Sequence, residues 1–168
     1  MDELNKNMLA AVAGVAEIAT SASPEALFAA VDHCIRPVLN QTLCTVNRYN
    51  PQTESLTRLY SSDPHSYPVG GSKKKAGTSW GRHVLHEQQL FIGEGEDAIR
   101  EFFDDHTTIR ALGLRSVINV PVISRGVCLG TFNLLMTTAR IETPSVQWAR
   151  VAGLMATPGF LSLPGEQG

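Results

Sequence analysis

INVPVISRGVCLGTFNLL, residues 118–135, is the stretch from which the fold can be read. Two apolar runs flank Ser124-Arg125-Gly126, which predicts two antiparallel strands, about 115–123 and 127–136, joined by a three-residue turn. Side chains alternate across a strand, so parity sorts the faces. Ile118, Val120, Val122, Cys128, Phe132 and Leu134 give one wholly apolar face. Val117, Asn119, Pro121, Leu129, Thr131, Asn133 and Leu135 give a mixed one. With that turn, Asn119 falls opposite Thr131 and Val117 opposite Asn133. A buried amide without a partner costs about 1–3 kcal/mol. The asparagines therefore either tie down a covering segment or line a cavity where something polar binds. The apolar face calls for helices; the mixed face calls for a cover with a small-molecule pocket beneath it.

The rest of the chain supplies both. Leu4, Met8, Val12, Val15 and Ile18 recur at helical spacing over 3–20. Ser23 as N-cap and Pro24 at the first helical position start a second amphipathic helix ending near Asn40. Alternation over 42–50 and 55–62 around the turn 50–54 predicts a hairpin. The segment 63–77, rich in proline and glycine, reads as a loop, and its lysines in SKKKAG (72–77) as solvated. Thr78 or Ser79 caps a short helix over 79–87, whose free N–H groups offer a docking point for an anion. A short strand follows at 89–93, then a helix in two pieces over 96–113, stopped by Gly113. Thr143-Pro144 opens a closing helix that Thr157-Pro158-Gly159 ends, leaving 158–168 as a frayed tail.

Composition narrows the partners. Fourteen basic against sixteen acidic residues, a net charge of −2, leave no electrostatic footprint for nucleic acid. No apolar run reaches membrane-spanning length. Three cysteines and no secretory pattern at the N-terminus predict free thiols and a cytoplasmic protein. Asp104, Asp105 and His106 with His83 and His86 suggest a metal site, but the two histidines, three apart on a short exposed helix, read as solvated, so no metal site and no cofactor is expected.

The order of these elements resembles that of a GAF domain over about 4–157. GTSWGRHVLHEQQLFI (77–92) resembles the family's glycine-led short helix and following strand. LGLRSVINVPVISRGVCLGTFNLL (112–135) resembles its Arg-Ser, strand, Val-Pro, turn, Gly-x-x-Gly and final-strand signature. The resemblance implies an α+β fold in one domain, 1–157. Its central antiparallel sheet has five or six strands, with the terminal helices on one face and a pocket under the crossover on the other. It also implies a sensory or regulatory module, often a homodimer.

Specialised members of the family leave marks that can be checked. Free methionine-(R)-sulfoxide reductases carry cysteines around the short helix and before the Arg-Ser strand; here Thr78, Ser79 and 106–114 provide none. Their glutamate after Arg-Ser is replaced by Val117, and their paired aspartates by Asn133 and Leu135. No cysteine lies between 45 and 127 to carry a bilin, and FFDDH (102–106) is only a faint echo of the cyclic-nucleotide signature, without its accompanying asparagine-lysine pair. The expectation is a non-enzymatic module that binds a small polar or aromatic molecule. Val117, Asn119, Thr131 and Asn133 line its pocket from the sheet, and Thr78, Trp80, Phe103 and Ile109 from the cover. A degenerate member used for dimerisation or protein interaction is the alternative, with a sulfoxide reductase behind it. The weakly polar surface of the first helix (Ala10, Ala11, Ala13, Gly14, Ala16), beside Trp148, Val151 and Leu154, suits a homodimer.

Overall fold

The computed structural model describes residues 2–165. Two helices lead: α1 (Glu3–Ser21), capped by the Asp2 carboxylate, and α2 (Pro24–Leu39), capped by Ser23. Asn40, in the left-handed region, ends α2. β1 (Leu43–Asn50) and β2 (Ser55–Ser61) form the hairpin, and β3 (Ser72–Lys74) adds a short edge. Over the crossover lie α3 (Ser79–Gly81), which runs on as a π-helical turn (Arg82–His86), then β4 (Phe91–Glu94), α4 (Gly95–Phe102) and α5 (His106–Ala111). Gly113, at φ +73°, stops that segment as expected. β5 (Ser116–Ser124), β6 (Val127–Met136) and α6 (Thr143–Leu161) complete the chain. The six strands form one antiparallel sheet in the order β3-β2-β1-β6-β5-β4.

Parity separates two apolar clusters. Cys44, Val46, Ile118, Val120, Val122, Phe132 and Leu134 pack against α2 and α6, with Val15 of α1 at the margin. Leu43, Leu56, Val117 and Leu135 pack on the opposite face beneath Trp80, Val84, Ile99 and Ile109. On the helix side, α6 presents Ala149, Ala152, Gly153 and Ala156, all buried. Small residues let its backbone settle on the sheet: a Cβ at Gly153 would stand 2.8 Å from Val120 Cγ1.

Three expectations need correction. The β5–β6 turn has two residues, because Arg125 and Gly126 both take positive φ (+52° and +80°), the primed turn that matches strand twist. Ser124 pairs with Val127, and a bulge between Val122 and Ile123 moves the register. Asn119 therefore faces Asn133, and Val117 faces Leu135. The same bulge turns Cys128 to the pocket side and leaves Leu129 against the helix-side cluster, opposite to simple parity.

A second bulge, in the β1–β2 pairing, has a similar result. Arg58 lines the pocket, while Tyr60 reaches the other face and its hydroxyl donates to Asp32 Oδ2 at 2.8 Å. The segment 63–77, expected as loop, is in part a strand: Ser72–Lys74 pairs with Ser55–Thr57 of β2. Finally, α6 runs through Pro158 to Leu161. The carbonyl that Pro158 cannot serve belongs to Leu154, which is 72% exposed, so the loss falls on the solvent side. Phe160 is buried, 5.3 Å between ring centroids from Phe28, and holds that last turn down. The end of the expected tail, 166–168, lies outside the described residues.

Candidate functional site

Between the mixed face and its cover lies a cavity of about 80 Å³. At the ~10–15 Å³ that a single water requires, it has room for about five to eight. Its floor comes from alternate positions of the middle strands: Leu43, Thr45 and Asn47 of β1, Val117 and Asn119 of β5, Asn133 and Leu135 of β6. Trp80, Phe103 and Ile109 close it from the crossover. Arg58 of β2 and Lys73 and Lys75 at β3 form the remaining wall with Tyr67 and Asp105.

Six of the eight residues expected from sequence line this space: Trp80, Phe103, Ile109, Val117, Asn119 and Asn133. Thr78 and Thr131 do not. Thr78 is taken up locally, its Oγ1 accepting from Gly81 N–H at 3.0 Å and donating to Lys75 O at 2.7 Å. That contact also occupies one N–H at the start of the short helix, whose regular part is only Ser79–Gly81. Thr131 is fully buried; the register sets it between Pro121 of β5 and Asn47 of β1, and its Oγ1 accepts from Asn133 Nδ2.

The asparagines tie down the cover and also line the cavity. Trp80 Nε1 donates to Asn119 Oδ1 (2.9 Å), and Asn119 Nδ2 donates to Asn133 Oδ1 (2.8 Å). Asn133 Nδ2 reaches Thr131 Oγ1 (3.1 Å), Thr45 O (3.2 Å) and Thr45 Oγ1 (3.3 Å). The chain of amides thus ties the cover to three strands. Carbonyl oxygens carry two lone pairs, so Asn119 and Asn133 keep acceptor capacity at the cavity floor. Two further latches hold the cover. His86 Nε2 lies 2.7 Å from Glu54 Oε1, and Gln88 Nε2 donates to Gly126 O at 2.8 Å.

The charged wall was missed by the sequence reading, which left 72–77 solvated. Pairing of β3 with β2 turns Lys73 and Lys75 inward, while Lys74 is not part of the lining. Asp105 takes the Tyr67 hydroxyl on Oδ2 (2.7 Å) and Lys73 Nζ on Oδ1 (3.1 Å). Burial opposes its charge, but the Tyr67 hydroxyl and the Lys73 ammonium outweigh it and hold the carboxyl below the usual carboxylate range. Burial, then the hydrogen bond to Asp105, pushes the Tyr67 phenol well up. Lys75 Nζ stands 5.0 Å from the centre of the Trp80 ring; burial, then Lys73, lowers its pKa. Arg58 stacks over Tyr67, its guanidinium carbon 5.0 Å from the ring centre. The only sequence signal for Arg58 was its position two residues from Leu56, on the same side of β2.

The surroundings of the three thiols favour their neutral form. Cys34, Cys44 and Cys128 are unpaired and buried. Burial raises the pKa of each, that of Cys128 to about 11.

Comparison of the whole fold with solved structures gives extensive matches. The GAF domain of an Acinetobacter phosphoenolpyruvate-protein phosphotransferase superposes with a TM-score of 0.72 at 13% identity, over 96% of this chain and 95% of that one. The nlh2 GAF domain of A. aeolicus, in an inactive state, gives 0.70 at 15% identity over 95% and 98%. The chain has the GAF-domain fold. The chromophore-binding domain of a bacteriophytochrome from R. palustris also matches, with a TM-score of 0.66 at 10% identity over 92% of this chain and 60% of that one. No family sequence profile and no curated protein matches by sequence. Within the GAF fold, the sheet, terminal helices and covering crossover expected from residues 112–135 are all in place. No helix among the described residues is long and apolar enough to cross a membrane.

Proposed function

We propose that this chain is a sensory or regulatory module that reversibly binds a small molecule beneath its crossover and has no catalytic machinery of its own. One observation carries the reading. The pocket keeps open space although the amides around it are hydrogen-bonded and its cover is held to β5 through Trp80 and to the β5–β6 turn through Gln88. A degenerate fold would have filled that space with its own side chains. A chromophore-binding domain among the structural neighbours is consistent with a ligand in this position. The reductase reading is disfavoured chemically, since thiol-based sulfoxide reduction needs an accessible thiolate. Native mass spectrometry of freshly purified protein, compared with its denatured mass, tests the proposal. A dissociable adduct of small mass is expected. A chain that carries none, and that no metabolite extract stabilises against heat, would refute the sensor reading. Turnover of free methionine sulfoxide with thioredoxin would refute its non-enzymatic part.

A second role rests on separate observations. Leu9 of α1 is 58% exposed, and Val151, Leu154 and Leu161 of α6 form an exposed apolar stripe. α1 buries only Val15 fully, so most of its surface is without cover. We infer a homodimer through the terminal helices, the arrangement by which such a module would pass a change in its cover to a neighbour. Sedimentation at micromolar concentration should give about twice 18.2 kDa. A constant monomer mass at every concentration would end the idea.

A further inference from the structure

The charges around the cavity do not balance among themselves. Arg58, Lys73 and Lys75 contribute three positive charges and Asp105 one negative, a local excess of two. Both Asp105 oxygens are occupied by Tyr67 and Lys73. No carboxylate among the described residues lies within ion-pair distance of Arg58 or Lys75. Arg58 is held in a particular way. Its Nη1 donates to Pro68 O at 3.0 Å, and its guanidinium carbon lies over the Tyr67 ring. Its Nε is buried with no hydrogen-bond partner. A buried donor left unpaired is costly, and more so when it is charged. The Nε–Nη2 edge of a guanidinium matches the two oxygens of a carboxylate.

We propose that Arg58 binds the carboxylate of a small aromatic acid through its Nε–Nη2 edge. The ring of that acid lies among Trp80, Phe103 and Ile109. Rings and aliphatic side chains bury the apolar body, and the amide of Asn47, which also lines the cavity, is left for a polar substituent. Lys75 adds positive charge beside Trp80 without a fixed geometry. This inference rests on the reading of the pocket as a ligand site.

Benzoate is the probe, with benzamide as its neutral counterpart of similar shape and inorganic phosphate as an anion without a ring. Calorimetric titration should show benzoate binding at least tenfold more tightly than benzamide, with phosphate weaker than benzoate. Arg58→Lys retains the charge but loses the fork, and should weaken benzoate at least fivefold while leaving benzamide within twofold. Arg58→Met should bring the two aromatic probes level. If that variant fails to fold by circular dichroism, Arg58→Lys still decides. Equal binding of benzoate and benzamide to the unaltered protein would overturn the anion assignment and leave the sensor reading standing. Phosphate binding as tight as benzoate would overturn the aromatic part. No binding of any probe would overturn the inference, while the native mass measurement judges the sensor reading independently.

Discussion

On the helix side of the sheet, Ile118, Phe132 and Leu134 are sealed beneath α2 and α6 among apolar neighbours. One residue away along the same strands, Asn119, Thr131 and Asn133 are almost equally buried, yet hydrogen bonds hold them. Apolar contact is non-directional, so it rewards burial without demanding a particular geometry. A buried amide chain is directional and fails if one member moves. The helix face therefore supplies most of the stability, and the pocket face fixes where the cover sits. The difference can be tested by altering each face in turn.

The largest effect is expected on the helix face. Phe132 is fully buried at the centre of the larger cluster. Phe132→Ala should destabilise by about 3–5 kcal/mol, enough to threaten a domain of ordinary stability. Urea denaturation measures it. A loss below about 1 kcal/mol would mean that the helix face is not the main source of stability.

Next comes the hub of the pocket face. Asn133→Leu removes the donor serving Thr45 and Thr131 and the acceptor of Asn119. A cost of about 1–3 kcal/mol follows if the polar groups left behind stay buried and unpaired. The same urea titration gives the value. A neutral or stabilising outcome would mean that the amides are free to turn elsewhere, and the contrast between the faces would weaken.

How much of this was legible beforehand depends on whether a residue's role is local. Ser23-Pro24, Gly113 and the alternation over 118–122 and 132–135 act through near neighbours, and each was read correctly. The registers were not, because a bulge is decided by pairing and leaves little trace in hydrophobicity. Arg125 looked like one of three turn residues, yet its left-handed conformation shortened the turn and moved Asn119 to face Asn133. Lys73 and Lys75 were invisible for a related reason. β3 has no apolar alternation, and its strand character comes only from the edge of β2. Phe160 was lost by treating Pro158 as a stop. Proline costs a helix one hydrogen bond, and here the bond given up faces solvent.

The tie between the faces of the pocket itself can be weakened without emptying either. Trp80→Phe keeps a ring over the cavity but deletes the donor to Asn119 Oδ1. A loss of about 0.5–1.5 kcal/mol is expected. The sharper readout is amide hydrogen exchange: protection over 79–86 should fall while that of β5 and β6 is kept. Uniform change across both would mean that Trp80 acts as bulk core rather than as a latch.

The smallest effect belongs to the ionic wall. Asp105 is partly accessible, with its side chain 24% exposed, and Lys73 is more open still. Exposed or half-exposed pairs of this kind are worth about 0–1 kcal/mol. The sign with pH follows from the depressed carboxyl pKa of the folded chain. When the folded state holds the proton less tightly than the unfolded one, the contribution is complete above the unfolded value, about 3.9 for aspartate. It is lost as pH falls from there through the folded value. The unaltered protein should thus exceed Asp105→Asn in stability at pH 7, and the gap should close below about pH 4. Thermal unfolding of the two proteins across that range gives the comparison. A gap that persists undiminished into acid would show that Asp105 holds Tyr67 by shape and neutral hydrogen bonding, with its charge contributing nothing.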